Sequence, residues 1–139
     1  MGITNLNSTK SMENVTKENN KVLQIIKGSV IAIVLSFVFL LAYASILAYT
    51  DVPETTIVPV VIVISGVSIL MGSSMSTLHI KNKGLINGSL VGLIYMLTIY
   101  LLSSIVSGNF ALNMNSVIMI CVGILTGMIG GIIGVNLKK

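Results

Sequence analysis

Four long apolar runs, none of which contains Asp, Glu, Lys or Arg, decide what this chain can fold into. They cover residues 28–49, 57–80, 84–107 and 116–136. At about 1.5 Å per residue, a helix of this length crosses the roughly 30 Å of hydrocarbon in a bilayer. Because lipid offers no partner to a backbone N–H or C=O, each run must satisfy its own hydrogen bonds as a helix. The sequence therefore predicts an all-α membrane protein with four transmembrane helices.

Composition supports a membrane environment for the single domain that 139 residues allow. Hydrophobic residues make up 54% of the chain and charged residues only 9%, too few for the polar shell of a soluble globule. The net charge of +4 comes from lysines at the edges of the apolar runs, without the arginine and aromatic clusters of a nucleic-acid surface. We expect the lipid bilayer to surround the protein and no nucleic acid to bind it.

The chain divides into a polar tail and a membrane domain. Residues 1–20 are rich in Asn, Ser and Thr and have little apolar surface to bury, which predicts a disordered cytoplasmic tail. Residues 21–139 are predicted to form a four-helix transmembrane domain. The connections at 50–56, 81–83 and 108–115 are short, so consecutive helices should be neighbours in an antiparallel bundle.

The lysines predict the orientation of the bundle. If the N-terminus is cytoplasmic, all eight lysines lie on the inner side, whereas the outer connections carry only Asp51 and Glu54. The positive-inside rule then places both termini in the cytoplasm of a multi-pass protein of the cell membrane.

Small residues recur at steps of three and four along the predicted spans. The densest stretch, GILTGMIGGIIG at 123–134, has five glycines in twelve residues. Each glycine would cost a soluble helix about 1 kcal/mol relative to alanine, but in lipid it lets another backbone approach closely. The predicted helix-packing residues are Gly28, Ala32, Gly72, Gly84, Gly88, Gly92, Gly123, Gly127, Gly130, Gly131 and Gly134. They concentrate toward the lysine-bearing side, so we expect a bundle closed there, with any cavity opening outward.

A weak internal repeat relates the two halves of the membrane domain. Residues 25–35 align with 85–95 at an offset of 60, and the second span aligns with the fourth at an offset of 55. Gly28 then corresponds to Gly88, and Gly72 to Gly127. The alignment predicts two tandem helical hairpins related by an axis along the membrane normal. Convergence on common membrane residues explains the same identities equally well.

Polar residues also recur on one face of the second span, at Ser65, Ser68, Ser76 and His79. This polar stripe could line a path for a polar solute or supply hydrogen bonds between helices. His79 is the only histidine, and no acid lies within a span to serve it as a proton-relay or metal-binding partner. We predict no catalytic residue, metal or cofactor. Tyr95 needs a partner for its hydroxyl, which Thr98 or a serine of another span could provide.

Three segments carry a resemblance to a known family. They are KGS at 27–29, NGSLVGLIY at 87–95 and the closing GMIGGIIGVNLKK at 127–139. In these segments the chain resembles the YrzE-like small membrane proteins of Gram-positive bacteria, a family of unknown function. The resemblance covers roughly 21–139 and implies a multi-pass plasma-membrane protein of this topology. It brings no activity and no catalytic residues.

The sequence favours a non-enzymatic integral membrane protein that acts as a helix-packing or interaction module. It would work alone, as a homo-oligomer or as a subunit with a membrane-protein partner. The alternative is a small channel or transporter component with a path lined by Ser and Gly. A hydrated polar cavity lined by Ser65, Ser68 and Ser76 would favour transport, whereas direct helix contact along that face would favour packing.

Overall fold

The protein is a bundle of four long helices. A computed structural model describes residues 2–78, 80, 83–110 and 112–138. The helices are α1 (Gly2–Tyr49), α2 (Ile57–Thr77), α3 (Gly84–Ser107) and α4 (Met114–Leu137), and a short 3-10 helix, Glu54–Thr56, leads into α2. Within those described ranges the chain forms no strand. The predicted all-α fold class is confirmed.

All four helices are long and apolar enough to cross a membrane, as the sequence predicted. The helix ends differ from the predicted spans by a few residues. Helix α2 ends at Thr77 rather than at residue 80, and Lys83 before α3 has a left-handed backbone with φ of 66°. Helix α4 begins two residues early because Asn113 is extended and its carbonyl accepts the N–H groups of Ser116 and Val117.

The N-terminal segment departs further from the prediction. Composition predicted a disordered tail over 1–20, whereas the structure continues α1 as helix from Gly2. Residues 5–20 are exposed, so the helix there depends on local bonds. The Lys17 ammonium donates to the Glu13 carboxylate at 2.8 Å, one turn away. Because this segment extends an existing helix, it also avoids the unfavourable step of helix nucleation. The amino-acid composition of the segment gives no information about that advantage.

Helix α2 contacts each of the other three helices, α1, α3 and α4. Helix α3 contacts α1 as well as α4, and no contact joins α1 to α4 in the described part of the chain. Gly92 of α3 lies against Gly123 of α4, and Gly84 lies against Gly131. One residue number rises as the other falls, so α3 and α4 are antiparallel.

The buried core is small, and the outer surface is apolar. Ala32, Ile69 and Tyr95 form the core, with Ile33 and Met96 against it. Most other large apolar side chains are exposed on the outside of the bundle. A soluble monomer rarely exposes so much continuous apolar surface. The arrangement is that of a protein whose solvent is lipid.

Candidate functional site

The interface between α3 and α4 is a contact of backbone against backbone. A Cβ added at Gly88 would lie 2.7 Å from the Gly131 Cα, and one added at Gly84 would lie 2.6 Å from the Gly131 carbonyl oxygen. At Gly92 the nearest α4 atoms also belong to backbone, that of Gly123 and Gly127. Backbone atoms cannot rotate aside as a side chain does. Helices α3 and α4 can therefore approach this closely only because these positions are glycine.

The interface between α1 and α2 is also a close contact between small residues, but it includes an alanine and a serine as well as glycines. A Cβ added at Gly72 would lie 2.6 Å from the Ala32 Cβ and 2.7 Å from the Gly28 carbonyl oxygen. A hydrogen bond also crosses this interface. The Ser76 hydroxyl donates to the Gln24 carbonyl at 2.8 Å.

The two hairpins share one register, the one given by the sequence alignment. An added Cβ at Gly28 meets the Gly72 carbonyl oxygen, and an added Cβ at Gly88 meets the Gly127 carbonyl oxygen. The reciprocal contacts hold as well, because Gly72 faces the Gly28 carbonyl oxygen and Gly127 faces that of Gly88. The offsets of 60 and 55 therefore relate equivalent helix–helix contacts as well as similar residues in the sequence.

A second face of α4 packs on α2. An added Cβ at Gly130 would lie 2.8 Å from the Leu70 carbonyl oxygen, and one at Gly134 would lie 2.8 Å from the Ser74 Cα. Both residue numbers rise together, so α2 and α4 are parallel. The two overlapping glycine rows of α4 thus serve two different neighbours: Gly123, Gly127 and Gly131 contact α3, whereas Gly130 and Gly134 contact α2.

The structure does not bring the polar stripe together as one surface. Ser76 lies in the α1–α2 interface, bonded to Gln24. Ser68 is 0% exposed, and its hydroxyl has no hydrogen-bond partner. Ser65 lines a cavity on the other half of the bundle. His79 lies outside the described residues.

The cavity lies between α2, α3 and α4, and its volume is about 370 Å³. Its wall includes Ser65 and Ile69 of α2, Tyr95 and Met96 of α3, and Val122 of α4. Whereas the contacts of Gly130, Gly131 and Gly134 lie toward the opposite end of the bundle, the cavity lies toward the end that carries the α1–α2 and α3–α4 connections. This is the half in which the sequence predicted that any cavity would open.

Tyr95 is the residue of this cavity whose setting the sequence did not reveal. It is 1% exposed, and its hydroxyl makes no hydrogen bond to a described residue. Thr98, a predicted partner, instead donates to the Ile94 carbonyl at 2.8 Å. A tyrosine near the middle of an apolar span was the available signal, but its spacing did not show that it faces a cavity.

A family described as a protein of unknown function, DUF3792, matches residues 21–134. The chain belongs to this family. The DUF3792 match begins directly after the predicted polar tail, and it covers the first three spans and the fourth as far as residue 134. No curated protein and no solved structure matches the chain.

The DUF3792 region contains every helix contact and every cavity residue described above. The helical extension over residues 2–20 lies outside it. Membership agrees with the expectation of a membrane-protein family of unknown function, and it supplies no activity.

Proposed function

We propose that this protein is a non-enzymatic membrane subunit, a rigid interaction module on which another membrane protein or a second copy docks. One observation carries the proposal: two residues of the polar stripe, Ser68 and Ser76, are enclosed between helices. The Ser76 hydroxyl bonds to the α1 backbone, and Ser68 is wholly buried. A path for a polar solute would need these hydroxyls to face water instead.

The close glycine contacts give such a module a fixed shape. Without a hydrophobic driving force in lipid, helices associate through close packing and hydrogen bonds. The four helices here meet at backbone distance in both hairpins and between α2 and α4. A partner would therefore meet a preformed surface and would not have to order it on binding.

Helix α1 offers the largest free surface for a partner. It contacts only α2 and α3. In its most apolar window of 18 residues only 11% of residues are buried, compared with 28% in α4. Val34, Phe37 and Leu41 are all exposed on it. We assign the docking surface to this side of the bundle.

The proposed location is the cell membrane, with both termini in the cytoplasm. The distribution of all eight lysines supports this orientation. The exposed helical extension over residues 2–20 would then project roughly 30 Å into the cytoplasm, in line with the first span.

Site-specific photocrosslinking in native membranes tests the docking surface. A photoreactive residue is placed at Val34, Phe37 or Leu41 of α1, with Leu125 and Ile129 of α4 as equally exposed controls. We expect protein adducts of discrete mass from α1 and only lipid adducts from α4. Lipid adducts alone from all five positions would contradict the proposal.

One observation favours the alternative function, a small channel or transporter component with a Ser/Gly-lined path. Ser65 lines the cavity between α2, α3 and α4. Reconstitution into vesicles separates the two functions. An interaction module produces no saturable flux of ions or small polar solutes, whereas a saturable flux that Ser65→Leu abolishes would establish transport.

A further inference from the structure

The cavity between α2, α3 and α4 combines an apolar wall with two hydroxyls that lack partners. Neither Tyr95 nor Ser65 makes a hydrogen bond to a described residue, although both line this cavity. By contrast, the Thr126 hydroxyl, which also lines the cavity, donates to the Val122 carbonyl within its own helix at 2.8 Å. An unpaired hydroxyl in a water-poor site is costly, by roughly 1–3 kcal/mol in protein mutational data.

The rest of the wall excludes charged occupants. Its described residues include no Asp, Glu, Lys, Arg or His, and they are mostly aliphatic. Asn115 lies at the end of the cavity next to the start of α4, where the membrane interface is expected. A volume of about 370 Å³ falls within the range of roughly 300–1,000 Å³ that small-molecule sites occupy.

We propose that this cavity binds an uncharged, membrane-dissolved amphiphile, a molecule with an apolar body and a single hydroxyl or carbonyl oxygen. The apolar body lies against Ile69, Met96 and Val122. Its oxygen bonds to the Tyr95 hydroxyl, with Ser65 as the second polar group. This site is independent of the proposed docking surface on α1, because α1 contributes no residue to the cavity wall.

The ligand enters from the bilayer. Met119 and Val122 line the cavity and are also about half exposed on the outside of the bundle. The wall therefore opens sideways between helices toward lipid. From Asn115 to Thr126 the cavity follows α4 for about 16 Å, roughly half the thickness of the hydrocarbon. A molecule dissolved in one leaflet reaches it without crossing the membrane.

Photolabelling of the full-length protein in lipid nanodiscs tests the site. The probe is a long-chain alcohol that carries a diazirine, and labelled residues are mapped by mass spectrometry. We expect label on Tyr95 and Met96, which line the cavity, well above that on Leu97 and Leu125, which neighbour the cavity in sequence but face outward. Unlabelled decanol should compete about two- to tenfold better than decane, the advantage that one net hydrogen bond provides.

Two variants link this preference to the cavity. Tyr95→Phe should remove the advantage of decanol over decane while leaving decane competition unchanged. Gly66→Leu should reduce label at Met96, because Gly66 lines the cavity and a Cβ there meets no atom within 4 Å. Ala44→Leu, on exposed α1, is the matched control and should label as the wild type does.

Three outcomes would overturn the proposal. One is equal labelling of cavity and outward-facing residues in the wild type. Another is an unchanged decanol advantage in Tyr95→Phe. The third is heavy cavity labelling by a phospholipid with a diazirine on its acyl chain that decanol does not displace, because the cavity would then hold a lipid tail. If Gly66→Leu fails to fold, as judged by circular dichroism, Ser65→Leu replaces it as the cavity-filling variant.

Discussion

Individual glycines differ in what surrounds them, and this difference sets what each tolerates. An added Cβ at Gly127 would meet the Gly88 backbone, and one at Gly131 would lie 2.8 Å from the Gly88 Cα. At Gly123 the obstacle is the Met96 side chain, and at Gly66 nothing lies within 4 Å. The tolerance of a glycine therefore follows from the neighbouring helix and not from its place in a motif.

We expect Gly127→Ala to destabilise the protein by about 1–3 kcal/mol, the usual cost of overpacking a close contact. Gly66→Ala is the matched control and should be neutral or stabilising, because alanine is the better helix former. Thermal unfolding in one detergent, followed by circular dichroism, measures both. The larger change Gly131→Leu should be more harmful still, whereas Ile132→Leu on the exposed face should have little effect. Equal melting temperatures across the four variants would contradict this account.

The buried serines of α2 provide a second contrast. Ser76 donates to the Gln24 carbonyl across an interface, whereas the Ser68 hydroxyl is buried without a partner. Ser76→Ala should cost about 0.6 kcal/mol, the average for a hydrogen bond between membrane helices. Ser68→Ala should be neutral or stabilising, because it removes a polar group that nothing satisfies. The same melting assay compares them, and a greater loss from Ser68→Ala would show that the assignment is reversed.

At the scale of the helices, α1 joins two segments with different solvents. Its apolar part packs against α2 and α3, whereas residues 5–20 are exposed and hold their helix through local bonds. The hydrogen bond and charge of Lys17 lower the pKa of Glu13 below its ordinary value. The pair therefore stabilises this part of α1 when the carboxylate is ionised.

The sign of the pH effect follows from that direction. Because the pKa of Glu13 is lowered in the helix, the stabilisation is present above the ordinary pKa of glutamate and is lost as the pH falls through the lowered value. We expect the helix signal of residues 12–18 to fall as the pH drops below the ordinary pKa of glutamate. Carbon chemical shifts measure it. The step should be small for so exposed a pair. Glu13→Gln should remove this step, and Glu18→Gln should keep it.

At the scale of the whole molecule, two similar hairpins join through a further glycine face. Helices α1 and α2, and likewise α3 and α4, meet in equivalent registers, and Gly130 and Gly134 then attach α4 to α2. Most of the glycine contacts lie in one half of the bundle, and the cavity lies mainly in the other. The direction in which the cavity faces therefore depends on how the bundle is oriented in the membrane.

Cysteine accessibility tests that orientation. After Cys121→Ala, single cysteines replace Asp51, Lys17 or Lys83, and intact cells are treated with a membrane-impermeant maleimide. We expect labelling at position 51 in intact cells and at positions 17 and 83 only after permeabilisation. Labelling of positions 51 and 83 from the same side would refute the topology.

The sequence by itself determined the four spans, their antiparallel order and the positions of the small residues. Within hydrocarbon each helix must satisfy its backbone hydrogen bonds locally, and charged residues are confined to the ends of the spans. Both constraints leave a pattern along the linear sequence, so these features can be predicted from it. The sequence did not reveal the helical extension over residues 2–20. Composition describes the segment by itself, whereas its helix continues from the first span and needs no separate nucleation.

Only the tertiary structure decided which neighbouring helix each row of glycines contacts. Gly127 faces α3 and Gly130 faces α2, although both lie in the same glycine-rich stretch. It also separated Ser65 and Tyr95, which line a cavity, from Ser68 and Ser76, which are enclosed between helices. Within the spans, apolar residues lie on every face of these helices, so periodicity alone does not distinguish a face turned to lipid from one turned to another helix. That choice depends on shape in three dimensions.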